Sequence, residues 1–305
     1  MAKKLAPVLI LITGTLWGII GIFVRRLNAA GLGSQETTLM RISTAALIIG
    51  IYLLLFRRDL LRVRLRDLWC FFGTGIVSLL LFSWCYVQNM NLVSLSVAAI
   101  LLYTAPAFVM LLSALLFRER ITARKLVSLV LAFGGCVFVS GIGSDAQISV
   151  QGLLLGLGSG FFYSLYTIFS RFAINRGYHS FTITFYTFVF CTVGNALLSD
   201  WGQIAAAVSA DHSLLAWFPA MGIVTAVLPN LCYAAGLVHV ESGKASIICS
   251  VEPVVGTLVG VFFFHEMLPW SGVVGIVMVL AAIALLSGVP AKKSKQSVNI
   301  PEKEL

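Results

Sequence analysis

Two ionisable residues, Glu252 and Arg41, stand inside long apolar stretches. Glu252 lies about 8 residues into its stretch, which in a helix rising 1.5 Å per residue puts it about 12 Å deep. An ionised carboxylate at that depth costs several kcal/mol unless it is paired, hydrated or protonated. Its neighbour Pro253 has no amide hydrogen, so in a continuous helix the Cys249 carbonyl would lack its partner. A carboxylate beside a free carbonyl suits an ammonium group or a proton. The competing role is a structural glutamate hydrogen-bonded to another helix. Arg41 lies a few residues from the end of its stretch. There a guanidinium can hold a carboxylate or phosphate through two hydrogen bonds, or can snorkel to the interface.

Uncharged groups accompany these two. Trp17, Tyr86, Tyr103, Tyr163, Tyr166 and Tyr233 fall within apolar stretches. They can line a cavity for an apolar body or a cation, or simply pack and anchor. Asn230 follows Pro229 and offers an amide to a ligand. Pro106, Pro229 and Pro253 are read as helix-breaking positions. Glu119 and Glu266 sit where helices end, as solvated or gate-forming groups. The four histidines are scattered without ligand spacing, and the six cysteines form no Cys-x-x-Cys pair. Neither a metal site nor a disulfide framework is expected. No phosphate-binding loop, nucleotide fingerprint or nucleophile elbow is present, so no cofactor is expected.

The elements that position these residues follow from composition. Only 11% of the 305 residues are charged, and the mean hydropathy is +0.98. Such a chain cannot cover itself with a polar surface. A spanning helix needs about 20 apolar residues. Stretches of that kind occur at 7–25, 36–56, 68–88, 95–117, 124–142, 151–171, 180–198, 214–237, 244–264 and 270–289. The fold class expected is therefore all-α integral membrane, with ten transmembrane helices. Residues 201–208 read as a short helix at the membrane surface, 143–145 as a turn, and 291–305 as a basic tail.

The formal charge of +9 is laid out unevenly. With a cytoplasmic N-terminus, 18 of the 21 Lys and Arg residues fall on inside segments and only Arg25 and Arg26 on outside loops. That bias predicts cytoplasmic termini in a multi-pass inner-membrane protein and leaves no excess charge for a nucleic-acid partner.

The chain also repeats itself. Pro106 and Pro253, Phe117 and Phe264, Glu119 and Glu266, Tyr86 and Tyr233, and Gly141 and Gly288 are each 147 positions apart. Gly14 and Gly160, Phe23 and Phe169, and Arg25 and Arg171 are 146 apart. Two units of five helices follow, at 1–145 and 146–290. An odd helix count inserts the second upside down, a recurring plan of secondary transporters.

These residues resemble the drug/metabolite transporter superfamily, specifically its EamA-type members with two five-helix repeats. Gly14-Thr15-Leu16-Trp17-Gly18 is similar to the family's Trp-Gly first helix. Leu116-Phe117-Arg118-Glu119 and Phe263-Phe264-His265-Glu266 are similar to its helix ends, and Glu252-Pro253-Val254 to its acidic-proline motif. Ala105 departs from that motif in the first copy. The resemblance implies export of small metabolites by alternating access, through an ion gradient, exchange or the substrate's own gradient. One intramembrane acid and one base suit a zwitterion such as an amino acid, with protons as candidate coupling ion. Organic anions such as sugar phosphates are the alternative, although one arginine is thin provision for a dianion. A lipid-modifying membrane enzyme would gather several His, Asp or Glu at one face, and no such cluster occurs. Either a monomer or a homodimer fits the sequence.

Overall fold

A computed structural model describes residues 2–140 and 149–287. The turn expected at 143–145, the Gly141–Gly288 pair and the tail at 291–305 lie outside the described residues. All the regular structure described is helical. The first half contains α1 (Ala2–Gly18), α2 (Ile20–Ala29), α3 (Ser34–Phe56), α4 (Leu68–Phe72), α5 (Leu81–Met90), α6 (Leu95–Leu102), α7 (Ala105–Phe117) and α8 (Ala123–Ser140). The second contains α9 (Val150–Asn175), α10 (Ser180–Ala196), α11 (Trp201–Ala210), α12 (Leu214–Gly222), α13 (Leu228–Leu237), α14 (Ser242–Cys249), α15 (Val251–Phe264) and α16 (Trp270–Ser287). π-helical turns at Gly73–Leu80 and Ile223–Val227 join α4 to α5 and α12 to α13.

Among the described residues, eight helical segments are long and apolar enough to cross a membrane. A ninth results if α10 and α11, bent by 98°, form one span; the apolar helix Trp270–Leu286 is shorter. The protein is a multi-pass membrane protein, and its exposed apolar side chains, such as Phe56, Leu115, Leu154 and Phe262, cover the faces that lipid would meet.

Three of the helices read as continuous are interrupted. The stretch 95–117 is α6 and α7 around Tyr103 and Thr104, and 244–264 is α14 and α15 around Ser250. The first helix changes course between α1 and α2. Pro106 and Pro253 are consequently not mid-helix residues. Pro106 is the second and Pro253 the third residue of the helix after a break, both in the first turn, where a missing amide costs no helical bond. Pro229 lies in the first turn after a π segment, and its helix continues to Leu237. Asp200 starts α11 by accepting from the Gly202 and Gln203 amides, at 2.8 and 3.2 Å.

Local geometry recurs along the chain. α7 and α15 end on left-handed residues, Arg118 at φ 55° and His265 at φ 54°. The turns before α3 and α10 carry Gly31 and Gly177, at φ 87° and 83°. The packing recurs too. α1 lies on α13, α14 and α15, whereas α9 lies on α5, α6 and α7; α3 pairs with α10, and α8 with α16. Small residues let the last pair approach closely: a Cβ on Gly135 would lie 2.8 Å from the Gly275 carbonyl oxygen.

Candidate functional site

The two helix breaks line one cavity, each lodged against a glycine face. A Cβ on Gly14 would lie 3.0 Å from the Cys249 carbonyl oxygen, and one on Gly18 would lie 2.7 Å from that of Glu252. Across the molecule, a Cβ on Gly160 would lie 3.0 Å from the Leu101 carbonyl oxygen. Glycine is needed because α1 and α9 approach the carbonyls at the breaks too closely for a side chain. The Gly14-Thr15-Leu16-Trp17-Gly18 segment thereby gains a physical meaning: its glycines seat α1 and its tryptophan enters the cavity.

The cavity wall includes Trp17, Tyr103, Tyr163, Tyr166, Tyr233 and Glu252, together with Pro106, Thr167, Ser246, Cys249 and Ser250. Trp17 packs against Tyr163 at 6.1 Å and Tyr233 at 5.8 Å between ring centroids. Tyr233 reaches across to Thr167, with 2.6 Å between hydroxyl oxygens, and closes one side of the cavity. Glu252 is the second residue of α15, partly exposed at the break rather than embedded in a helix. The space left for water-sized occupants is about 30 Å³. That holds about two waters, whereas small-ligand sites run to roughly 300–1,000 Å³.

Other candidates stand further off. Arg41 and Glu252 make no direct ion pair among the described residues. The buried Nε of Arg41 has no hydrogen-bond partner. Tyr86 is outside the cavity lining and packs on Phe82, whose ring meets Tyr163 at 5.0 Å between centroids. Asn230 is also outside the lining; its amide donates to the Ala226 carbonyl of its own chain segment at 2.8 Å. Pro229 offers its carbonyl to Thr13 at 3.0 Å. The hydroxyl groups of Thr167, Ser246 and Ser250 in the lining are not legible in the sequence, because small polar residues in an apolar helix carry no distinguishing signal. The six cysteines are free, and no group of three His, Cys, Asp or Glu is arranged for a metal among the described residues.

A multi-pass helical protein with two broken helices meeting at a central cavity is the class of molecule the fold and site define. The model of the EamA-like transporter family matches residues 4–141 and again 150–288, and the chain belongs to that family. An uncharacterized transporter of Archaeoglobus fulgidus is 25% identical over 92% of this chain and 97% of its own. The Bacillus subtilis uncharacterized transporter YvbV is 22% identical over 79% of each chain. A solved crystal structure superposes with a TM-score of 0.74, covering 92% of this chain and 95% of that one. At 17% identity this last likeness bears on the fold alone.

Proposed function

We propose that this transporter exports amino acids or similar small zwitterions by alternating access, holding the substrate ammonium near Glu252 and its carboxylate toward Arg41. The observation that carries this reading is an acid, Glu252, in the wall of an aromatic cavity together with a buried arginine, Arg41, whose Nε has no hydrogen-bond partner. A zwitterion satisfies both at once, and the unpartnered Arg41 Nε gains an acceptor. Trp17, Tyr103 and Tyr163 supply the apolar walls for the substrate body. Tyr86 contributes to them indirectly through Phe82.

The small volume of the cavity is in keeping with a state from which the helices must part to admit a metabolite. We further propose ten crossings, formed by the eight long segments, the bent α10–α11 pair and α16, arranged as two inverted units at 1–145 and 146–290. The double family match, the paired left-handed caps and the exchanged packing of α1 and α9 support that arrangement. The distribution of Lys and Arg supports cytoplasmic termini.

The test is uptake of radiolabelled amino acids, their decarboxylated amines and organic anions into proteoliposomes, with and without a pH gradient. Transport confined to zwitterions is the expected result. Transport of amines as well as their parent amino acids would remove Arg41 from the reading, and transport of dianions alone would overturn it.

A further inference from the structure

One end of the molecule is tied shut, and its counterpart at the other end is not. After the left-handed Arg118, the Glu119 carboxylate accepts from the first two amides of α14, Ser242 at 2.8 Å and Gly243 at 3.3 Å. Arg171 on α9 donates to the Val240 carbonyl and, at 3.0 Å, to the Ser242 hydroxyl. The buried Lys125 ammonium lies 3.8 Å from Glu119 and 2.6 Å from Glu241. Just deeper, Tyr233, only 2% exposed, bonds Thr167. α7, α8 and α9 are thus all fastened to the start of α14.

The same sequence positions at the other end behave differently. Glu266 follows the left-handed His265, but its side chain is 51% exposed and pairs with Arg25. α7 packs along α14, while the corresponding α15 and α6 make little or no contact. Tyr86, the counterpart of Tyr233, is partly exposed. Gly21, the counterpart of Thr167, borders open space: nothing lies within 4 Å of where its Cβ would be.

We infer that Glu119 and Glu266 are alternating latches: each closes its own end by docking its carboxylate on the N-terminus of a broken helix in the opposite unit, α14 for Glu119 and α6 for Glu266, and only one is docked at a time. A carboxylate on helix N-terminal amides makes charge-assisted hydrogen bonds and meets the positive end of the helix dipole, so the docked state is favoured without a permanent link. Arg25 holds Glu266 ready while undocked. The Leu95 and Ser96 amides are its targets, as Ser242 and Gly243 are for Glu119. This device rests on the alternating-access reading and adds the residues that select the open end.

The test uses a protein with its six native cysteines replaced and one added reporter, Gly21→Cys at the open end or Ser246→Cys in the cavity. An impermeant maleimide is applied separately to each face of oriented vesicles. With both latches intact, Gly21→Cys labels from the Glu266 side and Ser246→Cys is protected from the Glu119 side. Adding Glu119→Gln raises labelling of Ser246→Cys from the Glu119 side several-fold and lowers that of Gly21→Cys. Adding Glu266→Gln instead leaves Gly21→Cys fully labelled. Ser242→Pro, which deletes a target amide at a position where proline suits a helix start, produces the Glu119→Gln pattern. Unchanged labelling in both Glu119→Gln and Ser242→Pro, or the same redistribution from Glu266→Gln, overturns the latch. Labelling needs no substrate. Redistribution with no amino-acid transport would sink the zwitterion reading and spare the latch, and transport without redistribution would do the reverse.

Discussion

In the proposed site, the work of binding is divided between Glu252, a carboxylate at a helix break, and Arg41, a guanidinium in the body of α3. Arg41→Lys keeps the charge but loses the planar fork, which a point-charge ammonium cannot reproduce. The expected outcome is weaker binding, about 10-fold or more for the loss of one charge-assisted hydrogen bond worth roughly 1.5–3 kcal/mol. Equilibrium binding of a labelled amino acid measures it, with the amine analogue unaffected by the change. Both residues were legible in the sequence because a charge inside an apolar stretch stands out. The exact depth was not. The uninterrupted apolar stretch predicts Glu252 in the body of one helix, whereas it occupies the opening turn of α15, just after the break at Ser250. Asn230 was legible as a polar side chain near a proline, but period and composition could not tell that its amide turns back to Ala226.

At the scale of elements, close approach is the organising constraint. Gly135→Val would drive a side chain into the Gly275 carbonyl and the Val279 side chain, and overpacking of this kind costs about 1–3 kcal/mol. Gly21→Ala meets open space and is expected to unfold within a degree or so of the unaltered protein by a thermal melt in detergent. Equal melting of the two variants would contradict the tight α8–α16 seam. The turn before α12 responds to acid. Hydrogen bonds from Ser213 and the Arg26 guanidinium hold the Asp211 carboxyl down at about 2. A carboxyl lowered in the folded state stabilises it above its unfolded value near 3.9 and loses that contribution as pH falls through about 2. Asp211→Asn therefore removes part of the acid sensitivity between pH 4 and 2, read as a flatter melting temperature over that window. The apolar lengths of α3, α9 and the α12–α13 segment could be read directly from the sequence. The breaks at Tyr103–Thr104 and Ser250 could not, because an apolar helix and two apolar half-helices have the same composition. The prolines after each break were the available signal: proline biases its predecessor away from helix and fits the start of a new one.

At the scale of the whole molecule, the proposed orientation rests on charge placement and the proposed alternating access on repetition. With 18 basic residues assigned to one side and two to the other, Asp59→Cys and Ser209→Cys are expected to label from opposite faces of the membrane, Asp59→Cys from the cytoplasm. Labelling of both from one face would break the ten-crossing arrangement. The most direct test of the central claim, that substrate is handled at the helix break carrying Glu252, is Glu252→Gln reconstituted in proteoliposomes. Net flux, exchange of labelled for unlabelled substrate, and melting temperature are measured on the same preparation. If Glu252 carries the coupling proton, net accumulation stops while exchange survives; if it holds the substrate ammonium, both fall. The prediction is loss of net flux in a protein that still melts cooperatively. Normal net flux and normal substrate affinity in Glu252→Gln would contradict it and leave the aromatic cavity without its charged partner.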